Sequence, residues 1–272
     1  MRRRKPMDRD GMLDAIEVAL DEGEFEQALE DCERLLSADP DDVDALVLKG
    51  HALASGGELV RALKLYERAH GLMPDWDDAE VCQGEILMEI GRFRDAKRLL
   101  EAAQRRDPSR AEIQNALAIL HELQGDDVNA LRHYKLAHKL DSGFHIPVRV
   151  SDAEFRAMAD ELLAAFPEEI RAHLQNVSIQ APDLPTLEMA LSQDPPLGLL
   201  LLGYFDGTPL SERAVVDAHG QTPAHIYLFK KNLERICRNR RELREQIDVT
   251  LKHELGHYLG LDEDDMERLG LD

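Results

Sequence analysis

The chain has 272 residues, enough for two domains with real cores, and sets 54 acidic side chains against 33 basic ones for a net charge of −21. An acidic excess of this size argues against nucleic-acid binding, which needs Lys and Arg to neutralise phosphates. Three widely spaced cysteines, Cys32, Cys82 and Cys237, form no CxxC pair, so a disulfide framework is excluded and a cytoplasmic location is expected.

In chain order, MRRRKPMDRDG opens with a basic run that no apolar stretch follows, so it is not a secretory signal. Residues 1–10 read as a disordered basic tail. The next segment, 11–142, repeats itself. Gly23, Gly57, Gly91 and Gly125 stand 34 residues apart, as do Ala28, Ala62, Ala96 and Ala130. Pro40, Pro74 and Pro108 keep the same step, with Ser142 in the fourth place. This period predicts four helical hairpins: the glycine loosens the turn, the alanine lets two helices approach, and the proline ends the second helix. Gly50, Gly84 and Ala118 form a further small-residue set, Tyr66 and Tyr134 an aromatic one.

Over about 9–142 this pattern resembles the tetratricopeptide repeat. The resemblance implies an α-helical superhelical array with a concave groove for a protein or peptide partner. It places Asp44, Val47, His51, Asp78, Val81, Glu85, Glu89, Glu112, Asn115 and Glu122 in that groove. The lining is acidic and has no Lys/Arg clamp for a C-terminal carboxylate, so a basic or mixed segment is the expected ligand. His133 and His138 are five apart, on different helix faces, and read as packing or surface residues.

Residues 143–151 read as a linker and 152–272 as a second, small α+β domain. Ser151 with Glu154 makes a capping box for a helix over 153–166. Pro167 precedes a short helix to about Leu174. Strands are expected at Val177–Gln180, within Leu199–Phe205 and at Ile226–Phe229, and 181–198, with four prolines, reads mostly as loop. Helices are expected at Lys230–Cys237 and Glu242–Leu259. The longest apolar stretch, Leu197–Phe205, is too short to cross a bilayer. The basic run from Lys230 to Arg244 reads as a solvated face that offsets acidic neighbours.

The last helix carries HELGH at 253–257. His253 and His257 are four apart and share a helix face, so both imidazoles can reach one ion. Glu254 stands beside them, placed to take a proton from water activated by that ion. Leu243, Ile247, Leu251, Leu255 and Leu259 form a packed stripe, and Gly260 ends the helix. A catalytic zinc site still needs a third ligand, and Asp262, Glu263, Asp264 and Asp265 follow at once.

Over about 152–272 the sequence is similar to compact bacterial zincin-like, metzincin-type metallopeptidases. The likeness rests on EFRAMADELLAAFPEEIRAHLQNVSIQ, LLGYFDGTPLSER, AHIYLFKKNLERIC and RELREQIDVTLKHELGHYLGLDEDDMERLG. In that family the third ligand stands ten residues after the first His and is usually Asp. Here the position is Glu263, and Asp262 or Asp264 could serve in its place. The resemblance implies a zinc metallopeptidase: His253, His257 and Glu263 hold Zn2+, Glu254 is the general base, and a peptide is the substrate. Tyr258 and Tyr204 are weak candidates for oxyanion contact, more simply read as packing. The alternative is a protein-binding scaffold whose second domain is structural or inactive.

Overall fold

The computed structural model describes residues 9–74, 77–174, 177–210 and 224–261. These group into two compact units. One holds the chain to Phe144 together with Thr186–Leu199; the other holds His145–Pro185 and the chain from Leu200 onward.

Four antiparallel helical hairpins build the first unit. They are α1 (Arg9–Asp21) with α2 (Phe25–Ala38), α3 (Val43–Ser55) with α4 (Leu59–Leu72), α5 (Asp77–Glu89) with α6 (Phe93–Arg106), and α7 (Ala111–Leu123) with α8 (Asp127–Leu140). Arg9 and Asp10, assigned to the basic tail by the sequence reading, open α1; Arg9 donates to Asp42 at 2.6 and 2.7 Å. The turn glycines Gly23, Gly57, Gly91 and Gly125 all have φ of 76–78°, a left-handed conformation that side chains disfavour. The helix-B alanines Ala28, Ala62, Ala96 and Ala130 are buried where helices cross. Gly50 has a different reason to be small: a Cβ there would stand 2.5 Å from Cε1 of buried Tyr66. Asp39, Met73 and Asp107, each just before a proline, leave the helix in extended conformation. Asp141 does the same before Ser142, so the repeat's packing holds this bend without proline.

The stretch read as loop contains a short helix, α11 (Leu187–Leu191), capped by Thr186 through the Met189 N–H. It packs on the repeats. A Cβ on Gly91 would meet Leu187 Cδ2 at 2.6 Å, and one on Gly198 would meet Glu89 Oε2 at 2.6 Å and Leu59 Cδ1 at 3.2 Å.

In the second unit, α9 (Asp152–Ala165) starts at Ser151, whose hydroxyl accepts the Glu154 N–H at 3.2 Å, and α10 (Glu168–His173) follows. Strands β1 (Val177–Gln180), β2 (Gly203–Asp206) and β3 (Ala224–Leu228) form a sheet in the order β1-β3-β2. β1 runs parallel to β3, with Ile179 opposite Ile226, and β2 runs antiparallel to it, with Phe205 also opposite Ile226. Helices α12 (Lys230–Arg235) and α13 (Arg240–Leu259) complete the described part. Ile226 and Leu228 of the sheet join Phe155, Leu162, Leu243, Ile247, Leu251 and Leu255 of the helices in one core. Residues 145–150 are tied to α12: Val148 N–H donates to Cys237 O at 3.1 Å and Val150 N–H to the buried Glu234 carboxylate at 2.9 Å. The basic run is paired to acids, Lys230 with Asp152, Arg240 with Glu154 and Arg244 with Glu161. Among the described residues no helix is long and apolar enough to cross a membrane.

His133 is buried between α7 and α8. Its Nδ1 lies 2.9 Å from Gln114 Oε1 and its ring stacks on His121 at 5.3 Å. Burial, then the nearby His121 and Arg132, push it down to about 4. The unfolded chain therefore binds a proton that the folded chain refuses between the ordinary histidine value and that one. Stability contributed by neutral His133 is present at pH 7 and is lost as pH falls through this window. Unfolding in urea at pH 7 and pH 4.5 should show about 1–3 kcal/mol less pH-dependent loss in His133→Gln than in the parent. Equal losses would contradict this placement.

Candidate metal centre

α13 carries the candidate residues and is capped at both ends. Asn239 caps its start, accepting from the N–H groups of Arg241 at 3.0 Å and Glu242 at 3.1 Å. At its end Gly260 turns left-handed with φ of 79°. The Gly260 N–H donates to His257 O and the Leu261 N–H to Gly256 O, both at 3.1 Å, so the last turn is closed on itself.

His253 and His257 come together as their spacing predicts. Their Nε2 atoms are 3.0 Å apart and their rings are perpendicular, with centroids 4.6 Å apart. Two ring nitrogens this close need a shared proton or a shared cation between their lone pairs. Nitrogens bound at about 2.0–2.1 Å to one tetrahedral zinc stand about 3.3 Å apart, so a ring shift of about 0.3 Å would accommodate the ion. The half-buried imidazole pair thus fits zinc in donor type and spacing. Among the described residues no third His, Cys, Asp or Glu joins them to make a metal-holding group. Glu263, Asp262 and Asp264 lie outside the described residues.

Glu254 lies against strand β2 and is 7% exposed. Burial pushes its carboxyl up to about 7, and a hydrogen bond from the Phe205 backbone N–H partly offsets that rise. A carboxyl balanced near neutrality suits a group that must take and return a proton. Strand β2 reaches it because residue 203 is glycine. A Cβ there would lie 2.6 Å from Thr250 Cγ2 and 2.7 Å from Glu254 Oε1. Phe205 adds an edge-on contact with Tyr258 at 5.8 Å. Tyr258 is buried and Tyr204 stacks against Tyr227, so both have packing partners. The sequence reading found neither Gly203 nor Phe205. Both sit in an unremarkable apolar run, and only the long-range contact gives them a role.

The repeats offer a second candidate surface. A cavity of about 490 Å³ is lined by His51, Glu85 and Glu89, expected in the groove, and by Glu17 and Asp21, which were not. An adjoining cavity of about 450 Å³ adds Asp10, Asp14, Asp44 and Val47. The four α1 acids recur at helical spacing, a stripe legible in the sequence once the first repeat is counted. Glu122 does not line the groove; it is fully buried and accepts the Tyr134 hydroxyl at 3.1 Å. Burial pushes Glu85 up to about 7.

These two constructions define a helical-hairpin array joined to a small α+β domain with a His-Glu-His helix. Residues 13–75 and 83–143 match the tetratricopeptide repeat family, and residues 174–271 match the zincin-like metallopeptidase family. The chain therefore carries tetratricopeptide repeats followed by a zincin-like metallopeptidase domain. Among solved structures it is similar to a thermophilic tetratricopeptide-repeat protein of Thermus thermophilus, with 20% identity over 56% of this chain and 80% of that one, at a TM-score of 0.48. It is also similar to MamA of Desulfovibrio magneticus, with 19% identity over 61% of this chain and 92% of that one, at a TM-score of 0.42. No curated protein matches the chain.

Gly203→Val should force β2 away from Thr250 and Glu254, costing about 1–3 kcal/mol in urea unfolding, as overfilled cores do. Unchanged stability would show that β2 does not lie this close to the helix.

Proposed function

We propose that the chain is a zinc-dependent metallopeptidase whose repeats recruit a protein partner or substrate. The observation that carries this reading is the pairing of His253 and His257 at 3.0 Å, with Glu254 buried next to them on the same helix turn. In the proposal His253 and His257 are two zinc ligands, and Glu263, or in its place Asp262 or Asp264, is the third. Zinc, when bound, supplies Lewis acidity to a water molecule and to a substrate carbonyl.

The remaining work falls to this chain's own residues. Glu254 accepts the water's proton as the oxygen attacks the carbonyl carbon, then passes that proton to the leaving nitrogen. Its near-neutral carboxyl favours both transfers. The Phe205 N–H holds the carboxylate at a fixed height above β2, which limits the reorganisation needed at reaction. An extended substrate can pair with a free strand edge; Ile226–Phe229, expected as a strand, falls largely in β3, which is paired on both sides. β2 is at the sheet's edge among the described strands and touches Glu254. It is therefore the strand along which we place the substrate.

The test uses zinc-loaded parent protein and Glu254→Gln, each incubated with an unfractionated protein lysate, followed by mass-spectrometric mapping of new protein N-termini. The parent should generate N-termini that Glu254→Gln does not, while both retain equal zinc. Identical profiles would contradict the catalytic reading and favour a repeat scaffold.

A further inference from the structure

Most enclosed carboxylates in this chain are answered from within. Glu80 pairs with Arg106, Glu122 receives the Tyr134 hydroxyl, Glu234 receives Arg149 and the Val150 N–H, and Glu254 receives the Phe205 N–H. Glu85 differs. It is only half-buried, it lines the larger repeat cavity, and among the described residues nothing donates a hydrogen bond or an ion pair to its carboxylate. A half-buried carboxylate with no partner inside the protein is open to a cation that arrives from outside.

The surroundings indicate what that partner carries. Buried Leu48, Tyr66 and Ile86, with half-buried Leu20, give the cavity an apolar wall long enough for an alkyl stem. Glu17, Asp21 and Glu89 line the same cavity, and the adjoining one adds the acids of α1. Among the described residues no Lys or Arg lines either cavity. Arg9 pairs with Asp42 and Asp44, of which Asp44 lines the second cavity. Apolar walls beside carboxylates match one side-chain design, a flexible aliphatic stem with a cationic head.

We propose that this cavity receives a lysine or arginine side chain from a basic segment of a partner protein. Its stem lies on Leu20, Leu48, Tyr66 and Ile86, its head meets Glu85, and flanking basic residues face Glu17, Asp21 and Glu89. The proposal rests on the repeats being a protein-docking array and names the chemistry of what docks.

The experiment measures anisotropy of three fluorescein-labelled short peptides against the full-length protein at about 0.15 M salt, where distant charges are screened. The peptides share their apolar residues and carry lysine, glutamine or glutamate at the polar positions. The lysine peptide should bind at least about tenfold more tightly than the other two, and Glu85→Gln should weaken it about tenfold. Glu67→Gln changes the same charge at an exposed position of α4 outside both cavities and should weaken it less than about twofold. Glu85→Gln removes an unanswered carboxylate, so its melting temperature should equal or exceed the parent's, and lost binding cannot be ascribed to unfolding. Equal weakening by the two variants would overturn the proposal, because the attraction would then be general. Binding of the glutamine or glutamate peptide as tight as the lysine peptide would overturn it too, while leaving the docking array intact. Binding by none of the three would count against the docking array as well.

Discussion

The approach of β2 to α13 sets the geometry of the candidate active site. Gly203 lets the strand's backbone come within reach of Thr250 and Glu254, and the Phe205 N–H then meets the carboxylate. Three properties of Glu254 follow from that one contact. It is shielded from water, that burial raises it toward neutrality while the Phe205 N–H offsets part of the rise, and it is held by a hydrogen bond. The histidines of the same helix turn converge through their Nε2 atoms. One helix turn thus carries both the candidate base and the candidate ligand pair.

Small residues play the corresponding part in the repeats. Gly50 under Tyr66, Gly84 under Leu100 and the buried helix-B alanines allow the hairpins to stack closely. Close stacking brings α1, α3 and α5 together on one side, and their acids line two adjoining cavities. Glu85 is half-buried in the larger of them and has no ion-pair partner among the described residues. The short helix α11, which packs against Gly91, belongs to this same unit although its sequence lies between β1 and β2.

Features carried by local periodicity were legible in the sequence. The 34-residue step gave four hairpins with turns at the glycines, and the four-residue step from His253 to His257 gave a convergent pair. Ser151 with Glu154 gave a helix start that the hydrogen bond bears out. What depended on distant contacts was not legible. Nothing in LLGYFDG tells that Gly203 will lie against Glu254, fifty-one positions on. Strand order was hidden for the same reason: β3, last in sequence, sits in the middle, so the Ile226–Phe229 run could not serve as an edge. Glu122 occupies a groove position by repeat register, yet the Tyr134 hydroxyl draws it inside. The prolines of 181–198 masked α11, whose buried Ala190 is explained only by packing on other parts of the chain.

Metal binding by the histidine pair is the central claim, and zinc content of the untagged full-length protein beside its His257→Ala variant tests it most directly. The account predicts about one zinc per chain in the parent and loss of it in the variant, as expected when two imidazoles and a carboxylate form the site. A parent that holds no zinc after refilling, or a variant that holds as much as the parent, would contradict it.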